Sequence, residues 1–549
     1  MKFVSVLARA AAVLALLSAC GGKEQGGGGG EELSYTLDGP LALELPQSGG
    51  SQKYTITTDA SWQVIRRSAQ NWAEARPVSG SGNGTFTISA VENTSGQERT
   101  MKFSIYLEGE EQPNAITLTQ KASETIWDEN GHDTNMSTTA PSMGIRAFDA
   151  CNIMYRRGGK TVLNVSMSAP VIVGVADQEE EWGFFQFPGI AQEGNIIKVG
   201  WQMNYDTEVI VSSGRPSGKR FSTDGGETWH ETGEIFGEGH RLPSGNFIRD
   251  NTQRSKDVTL YSMPSPIVGN DNTGTDGAYT WYEWDKVDDV FKGWYLLKGD
   301  KNTRSWTQMQ SPVYDPGACV HAVGKWLSVA LYGNFINLSD GSLLACVYGV
   351  HYAQSGNILD GGATFYRSTN EGQSWTVQGK IPFETNLTLD PNASGRRTYP
   401  FGYSESCAIL LQNGKLLHVT RTGGPMYRHL SSDSGKTWSH GVPFTPNGVR
   451  PHLLQLGNGV VVMSSGRPGV QLRFSIDGNG EVWTDPFEML SYPNGTTSYD
   501  TTITCGYAPI LACGNNSFYI VYSDFKYKTS SGAIRKAIKF RKVTVNKAE

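Results

Sequence analysis

Four short stretches of the chain share one pattern, and that pattern decides the fold. They are Ser222-Thr-Asp224-Gly-Gly226-Glu-Thr-Trp229, Ser368-Thr-Asn370-Glu-Gly372-Gln-Ser-Trp375, Ser431-Ser-Asp433-Ser-Gly435-Lys-Thr-Trp438 and Ser475-Ile-Asp477-Gly-Asn-Gly480-Glu-Val-Trp483. In each, an Asp or Asn can cap main-chain N–H groups, a Gly can take a positive φ, and a Trp can pack under the turn. The pattern is typical of a β-hairpin turn, and its repetition predicts an array of similar sheets.

Further hairpin signals accompany these turns. An apolar run follows each of three short turns, Ser339-Asp340-Gly341, Asn413-Gly414 and Asn458-Gly459. A fifth, degenerate copy of the repeated turn runs from Gly299-Asp300 to Trp306. Asp-Gly and Asn-Gly between apolar alternations are strong hairpin signals. Repeat units of roughly 45 to 75 residues, each a strand meander, predict an all-β domain, a six-bladed β-propeller over residues 125–549.

The composition excludes several classes of protein. The 549 residues include 53 acidic and 47 basic ones, for a formal net charge of −6, so no overall cationic field favours nucleic acid. The 14 Trp, 23 Tyr and 21 Phe exclude a disordered chain. The cysteines after residue 20 are scattered without metal-ligand spacing, which favours buried thiols and predicts no metal and no cofactor.

The N-terminal residues have the pattern of an export signal. Lys2 and Arg9 flank an apolar run that ends in Leu17-Ser18-Ala19-Cys20-Gly21, which resembles a bacterial lipobox. We expect residues 1–19 to be a lipoprotein signal peptide, Cys20 to carry the lipid, and residues 20–32 to be a Gly-rich linker. A protein anchored to the outer membrane, periplasmic or exposed at the surface, is the expectation.

Residues 33–122 read as short alternating strands broken by turns, which predicts a small immunoglobulin-like β-sandwich. This segment resembles the BACON domain of Bacteroidetes lipoproteins in four short motifs, Ala60-Ser61-Trp62, Asn71-Trp72, Glu92-Asn93-Thr94-Ser95 and Thr117-Leu118-Thr119-Gln120. That family is called carbohydrate-binding, and its members also serve as spacers. Trp62 and Trp72 either stack on a sugar or belong to the sandwich core, with the core favoured.

The propeller turns resemble the Asp-boxes of the sialidase (BNR) superfamily. The resemblance implies a Tyr nucleophile activated by a Glu, an Asp acid/base, and arginines that grip the substrate carboxylate. In the order of the blades, it points to Tyr507 in Cys505-Gly506-Tyr507 as nucleophile and to Glu405 in Tyr403-Ser404-Glu405 as base. It also points to Asp206 as the acid, with Asp177 as competitor.

The same resemblance assigns substrate-binding roles. Arg421 and Arg467 match the second and third carboxylate-gripping arginines, whereas Gln186 in Gln186-Phe187-Pro188 stands where the first is expected. A neutral Gln cannot supply a charge-assisted hydrogen bond to a carboxylate, so the sequence departs from the sialidase pattern at this position. His452 is a further candidate for the pocket, and His418 is either a pocket residue or a core histidine.

These residues predict a glycan-processing exo-glycosidase that hydrolyses a terminal acidic sugar with retention of configuration, as a monomer. Three alternatives remain. A different glycoside hydrolase on the same propeller would explain Gln186, a polysaccharide lyase would use His321 or His351, and a non-catalytic lipoprotein would only bind glycans.

Overall fold

A computed structural model gives the arrangement of the chain from Ser34 to Ala548. It describes these residues apart from 47–48, 69, 71, 92, 94–97, 122–149, 158–159, 211–216, 252, 270–276, 385–401, 446, 468, 485 and 491–500. The predicted signal peptide, Cys20 and the linker lie outside the described residues. Within this part of the chain, no helix has the length and apolar character needed to cross a membrane.

The N-terminal domain is a sandwich of two sheets. The first sheet has the order β1 (Thr36–Asp38), β3 (Gly50–Thr57), β7 (Gly84–Ala90), β5 (Ala73–Arg76). The second has the order β2 (Ala42–Leu45), β9 (Glu110–Gln120), β8 (Arg99–Leu107), β4 (Ser61–Arg66), β6 (Ser79–Ser81). Trp62 and Trp72 lie in the core between the sheets, only 3% and 6% exposed, so neither ring is a sugar platform.

Six further sheets of the described residues form the blades of a propeller. Blade 1 contains β13 (Phe184–Glu193), β14 (Ile196–Met203) and β15 (Ser217–Ser222), and blade 2 contains β16 (His240–Arg241), β17 (Phe247–Asp250), β20 (Trp294–Asp300) and β21 (Ser305–Ser311). Blade 3 contains β25 (Gly333–Asn337), β26 (Leu343–Gln354), β28 (Gly362–Ser368) and β29 (Trp375–Ile381), and blade 4 contains β30 (Ser404–Leu410), β31 (Leu416–Arg421), β32 (Tyr427–Ser431) and β33 (Val442–Pro443). Blade 5 contains β34 (Val449–Gln455), β35 (Val461–Gly466), β36 (Val470–Ser475) and β37 (Phe487–Leu490). The predicted all-β class and six-bladed propeller are confirmed.

Blade 6 closes the ring because strands from both ends of the domain share it. It contains β38 (Ile510–Ala512), β39 (Ser517–Lys528) and β40 (Ile534–Lys547), together with β10 (Cys151–Arg157), β11 (Lys160–Met167) and β12 (Val171–Val175). β40 pairs with β39 on one side and with β11 and β12 on the other. The innermost strands β25, β30, β34, β38 and β13 lie against one another in that order.

An additional sheet stands beside blades 2 and 3. It is built from β18 (Lys256–Asp257), β19 (Tyr279–Glu283), β23 (Ala318–Val323), β24 (Trp326–Leu327) and β27 (Asn357–Ile358) around the end of β26, and the short strand β22 (Val313–Tyr314) pairs with β29. Three 3-10 turns accompany it, η1 (Val258–Leu260), η2 (Trp284–Lys286) and η3 (Asp289–Phe291). The aromatic residues Tyr279 and Trp281 belong to this sheet.

The repeated turns hold the blades as their chemistry predicts. In the Asp433 copy, the carboxylate accepts hydrogen bonds from the main-chain N–H groups of Lys436 and Thr437, at 3.1 and 2.9 Å. The indole of Trp438 donates to the carbonyl of Gly435 at 3.1 Å. In the fourth copy the extra residue shifts the acceptor, because Asn479 rather than Asp477 receives the N–H of Glu481, at 2.9 Å.

The glycine of each turn also seats its blade on the blade before it. Gly226 lies against Phe540 of blade 6, Gly435 against Leu344 of blade 3, and Gly480 against Leu417 of blade 4. A Cβ on Gly226 would come within 2.2 Å of the Phe540 ring, so the position requires Gly for space as well as for its φ of 95°.

The sandwich contacts the propeller at blade 4. Arg76 bridges Glu74 of its own domain, at 3.5 Å, and Glu384 of the propeller, at 3.2 Å. His440 approaches the same Glu384 carboxylate at 3.3 Å. Charged side chains, rather than an apolar patch, therefore join the two domains here.

Candidate active site

The innermost strands bring Tyr507 and Glu405 together. Glu405 lies at the start of β30, and Tyr507 lies just before β38, two blades away. The Tyr507 hydroxyl donates a hydrogen bond to Glu405 Oε1. The two residues that the sequence analysis assigned as nucleophile and base are thus in direct contact.

Two arginines flank this pair. Arg421, at the end of β31, places Nη1 at 2.9 Å from Glu405 Oε2. Arg467 follows β35; its Nε donates to the carbonyl of Cys505 at 2.9 Å, and its guanidinium lies 4.9 Å from the Trp182 ring centre. Both assigned arginines are therefore at the same site.

The charges around Glu405 determine its ionisation. Burial by itself raises the pKa of this carboxyl, but the charges of Arg421 and Arg467, the Tyr507 hydrogen bond and Arg450 lower the pKa to about 2. Burial and the adjacent carboxylate raise the pKa of Tyr507 well above its ordinary value. The resting pair is a neutral tyrosine beside an ionised glutamate.

Arg450 is a site residue that the sequence analysis missed. It lies at the start of β34, where its main-chain N–H donates to Glu405 Oε2 at 3.1 Å. Its Nη1 donates to the hydroxyl of Tyr348, on β26, at 3.0 Å, and its guanidinium lies 5.9 Å from the Tyr507 ring centre. The signal was its place in the blade, since Val449-Arg450 in blade 5 corresponds to Ser404-Glu405 in blade 4.

The backbone is strained at the same place in three blades. Glu405, Arg450 and Phe187 have φ values of 41°, 42° and 52°, in the left-handed region that side-chain-bearing residues avoid. Each lies where the register of its innermost strand shifts. Such strain costs roughly 1–3 kcal/mol per residue and clusters at functional sites. Here it accompanies the residues that surround Tyr507.

Asp206 lies at the rim of the site and does not touch the Tyr507–Glu405 pair. Its Oδ2 accepts a hydrogen bond from Trp182 Nε1 at 3.0 Å. Trp182 lies 5.8 Å from Phe187, and Phe187 lies 4.7 Å from Tyr507, ring centre to ring centre. Aromatic contacts thus connect Asp206 with the pair. The competitor Asp177 contacts Arg535 through its main-chain carbonyl, at 3.4 Å.

The structure places Gln186 against Lys536 in the interior of the protein, and its expected role in substrate binding stays a prediction. Gln186 is fully buried, and its Oε1 accepts a hydrogen bond from Lys536 Nζ at 3.2 Å. Lys536 also donates to the carbonyls of Glu181 and Phe184, at 2.5 and 2.9 Å. The register shift after Gln186 turns Phe187 rather than Gln186 toward Tyr507.

The histidine candidates separate in the structure. His452 lies on β34 behind the site, where burial first and the charge of Arg450 second lower its pKa to about 3. It is therefore a neutral residue next to the pair. His418 belongs to the core of blade 4: it is fully buried, and its Nδ1 lies 3.1 Å from Nδ1 of His429.

A second cluster of polar side chains lies in the additional sheet. The hydroxyl of Tyr279 donates to Glu208 at 2.7 Å, and His321 Nε2 lies 3.4 Å from the other oxygen of that carboxylate. His321 stacks on Tyr279 at 4.2 Å, and Trp281 lies 4.6 Å from His351. Across the described ranges, no group of three or more His, Cys, Asp or Glu side chains is arranged to hold a metal ion.

Comparison with known proteins gives one family match and several distant structural similarities. No curated protein is similar enough to count as a match. The solved structures similar to this chain include a protein of unknown function from Dyadobacter fermentans DSM 18053, with 15% identity, 70% of this chain and 99% of that one covered, and a TM-score of 0.42. They also include the Hadza microbial sialidase Hz136, with 14% identity, 94% and 95% covered, and a TM-score of 0.37.

A third similar structure is the intramolecular trans-sialidase from Ruminococcus gnavus, with 14% identity, 67% of this chain and 96% of that one covered, and a TM-score of 0.34. The family match is local to the sandwich, where the model described as "Putative binding domain, N-terminal" covers residues 51–121. Residues 51–121 are therefore a BACON domain.

Proposed function

We propose that this protein is a retaining exo-glycosidase that removes a terminal acidic sugar from a glycan. The observation that supports this is the contact of the Tyr507 hydroxyl with the Glu405 carboxylate, beside the guanidinium groups of Arg421 and Arg467. A buried tyrosine bonded to an ionised carboxylate is a nucleophile with its base already in place.

In the first half of the reaction, the Tyr507 oxygen attacks the anomeric carbon and its proton passes to Glu405. The bond to the leaving oxygen breaks, and Asp206 supplies that oxygen with a proton. In the second half, Asp206 takes a proton from water, the water oxygen attacks the anomeric carbon, and Tyr507 leaves with the proton held by Glu405. Two displacements retain the configuration.

The substrate's own charge has a part in this scheme. With the pKa of Glu405 at about 2 and that of Tyr507 well above 10, proton transfer between them is unfavourable in the empty site. An anionic substrate bound to Arg421 and Arg467 would partly neutralise the charges that hold the Glu405 pKa low. A tyrosine also avoids the repulsion that a carboxylate nucleophile would meet from an anionic sugar.

The test is turnover of aryl glycosides of N-acetylneuraminic acid and of uronic acids by purified variants. We expect Tyr507→Phe and Glu405→Gln each to lose turnover by about a thousandfold or more, as removal of a nucleophile or its base does. Tyr314→Phe is the matched control, because Tyr314 is 71% exposed and lies in the short strand β22. Unchanged turnover in the first two variants would reject the mechanism.

The His321 cluster supports a second candidate, a polysaccharide lyase. An imidazole next to a carboxylate and a tyrosine can take a proton from a sugar carbon beside a uronate carboxyl group. A lyase would release an unsaturated product that absorbs in the near ultraviolet, and His321→Ala would abolish that signal. A hydrolase would give no such absorbance. Glycan binding by calorimetry without turnover would favour the non-catalytic alternative.

For the location of the protein, we propose the lipid anchor at Cys20 that the lipobox resemblance implies. The test is fractionation of cells that express the full chain, with Cys20→Ala as the comparison. The anchored protein would sediment with the outer membrane, and Cys20→Ala would shift it to the soluble fraction. Equal distribution of both forms would contradict the anchor.

A further inference from the structure

Among the residues of blade 1 that the structure describes, which leave out 211–216, no cation on this side of the site is available to a substrate. Gln186 is neutral and fully buried, and Lys536 behind it already donates to three oxygen atoms. Because an ammonium group has three hydrogens, these bonds use all of them. The side chains near Tyr507 on this side are the aromatic rings of Phe187 and Trp182.

The opposite side carries the guanidinium of Arg450 against the hydroxyl of Tyr348. Both residues keep partial exposure, and the neighbouring Tyr332, whose ring centre is 6.2 Å from that of Tyr348, is 40% exposed. The Arg450–Tyr348 pair therefore borders solvent at the level of Tyr507.

The bond between the two residues leaves both able to donate. Arg450 has five N–H hydrogens, and the contact with Tyr348 uses one of them. The Tyr348 hydroxyl accepts in that contact, so its own hydrogen remains to be donated. Burial raises the pKa of Tyr348, which keeps that hydrogen in place.

We propose that Arg450 and Tyr348 supply further carboxylate contacts beside Arg421 and Arg467, on the side opposite the described part of blade 1. The acidic group of the sugar then binds on the side of blades 3 and 5, and the less polar face of the ring lies toward Phe187 and Trp182. This inference rests on the proposed function, whose substrate is an acidic sugar. A guanidinium and a hydroxyl side by side offer a carboxylate two hydrogen bonds, one of them charge-assisted.

The experiment compares each acid with its own methyl ester. Calorimetry measures binding of the methyl glycosides of N-acetylneuraminic acid and glucuronic acid, and of their methyl esters, to Tyr507→Phe protein, which keeps Glu405 and prevents turnover. We expect Arg450→Gln in that background to weaken binding of the acid by about tenfold or more and to leave the ester unchanged. Tyr348→Phe should weaken the acid by a smaller factor.

Arg220→Gln is the matched control, because Arg220 on β15 pairs with exposed Glu231. Circular dichroism checks that each variant is folded. If the Arg450→Gln variant is not folded, the Tyr348→Phe variant still tests the inference. An equal effect on acid and ester, or no effect on either, would overturn the inference while leaving the glycosidase intact. Failure of the Tyr507→Phe protein to bind any acid, with no turnover by the unmodified protein, would reject the proposed function as well.

Discussion

The main-chain N–H of Arg450 donates to Glu405 Oε2, although the two residues lie in different blades and both have φ values near +40°. The strained start of one innermost strand is thus hydrogen-bonded to the strained start of the next. This bond holds the Glu405 carboxylate in place while its other oxygen, Oε1, receives the Tyr507 hydroxyl. The geometry of the site consequently depends on how neighbouring blades are seated.

The close approach of Gly506 to Gly466, where a Cβ on Gly466 would lie 2.3 Å from Gly506 Cα, should prove essential for the position of Arg467. Gly506 has a φ of 79°, and a Cβ there would lie 2.8 Å from Arg467 Cγ. We expect Gly506→Ala to lower turnover at least tenfold and to destabilise the fold by more than the roughly 1–2 kcal/mol that left-handed backbone costs an alanine. Gly414→Ala is the control, with a φ of 83° and nothing within 4 Å. Equal thermal unfolding and full activity in both variants would contradict this.

The Arg421→Gln variant should lose activity at a higher pH than the unmodified protein does as the solution is acidified. In the unmodified protein the pKa of Glu405 is about 2, so the carboxylate stays ionised at every higher pH. Loss of the nearest cation raises that pKa, so the base becomes protonated as the pH falls and kcat/KM declines earlier. Profiles of kcat/KM against pH, normalised to their maxima, should therefore differ in their acid limb. Superimposable profiles would show that Arg421 does not control Glu405.

Acid should destabilise blade 4 through its buried histidines. Burial lowers the pKa of His418 to about 3, whereas an unfolded histidine has a pKa of about 6.5. Between these values the unfolded chain takes up a proton that the folded chain does not, so stability falls as the pH drops below 6.5. We expect His418→Gln to remove about 2 kcal/mol of the stability lost between pH 7 and pH 5. His230 is exposed, and His230→Gln is the control, which should leave the loss of stability between pH 7 and pH 5 unchanged. Unfolding by denaturant at the two pH values measures both variants.

The repeated turns should tolerate an amide better than a methyl group. Asp433 accepts two main-chain N–H bonds, and in blade 3 Asn370 accepts the N–H of Ser374 at 3.0 Å in the same role. Asp433→Asn should therefore cost less stability than Asp433→Ala, whose lost hydrogen bonds are worth about 1 kcal/mol each. Thermal unfolding of the two variants checks the order. Equal melting temperatures would contradict a stabilising role for the hydrogen bonds that the Asp433 side chain accepts.

Local patterns in the sequence were enough for the turns, the blades and the sandwich, whereas the juxtaposition of Tyr507 and Glu405 was implied by the sialidase resemblance. The structure differs from the sequence analysis where one residue changes the register of a strand or turn. A single bulge turns Phe187 rather than Gln186 toward Tyr507, and one inserted residue passes the role of Asp477 to Asn479. The repeat marks the position of Arg450 as equivalent to that of Glu405, but its role depends on a contact with Glu405 in another blade, which the repeat does not contain.

The pairing of β40 with β11 and β12 sets the order in which the domain can be completed. A ribosome makes β11 and β12 early and β40 last, so these edges have no native partner during most of synthesis. Open strand edges pair readily with other chains. Until β40 is made, these open edges expose the newly made chain to aggregation, and a shortened chain without β40 would keep that vulnerability permanently.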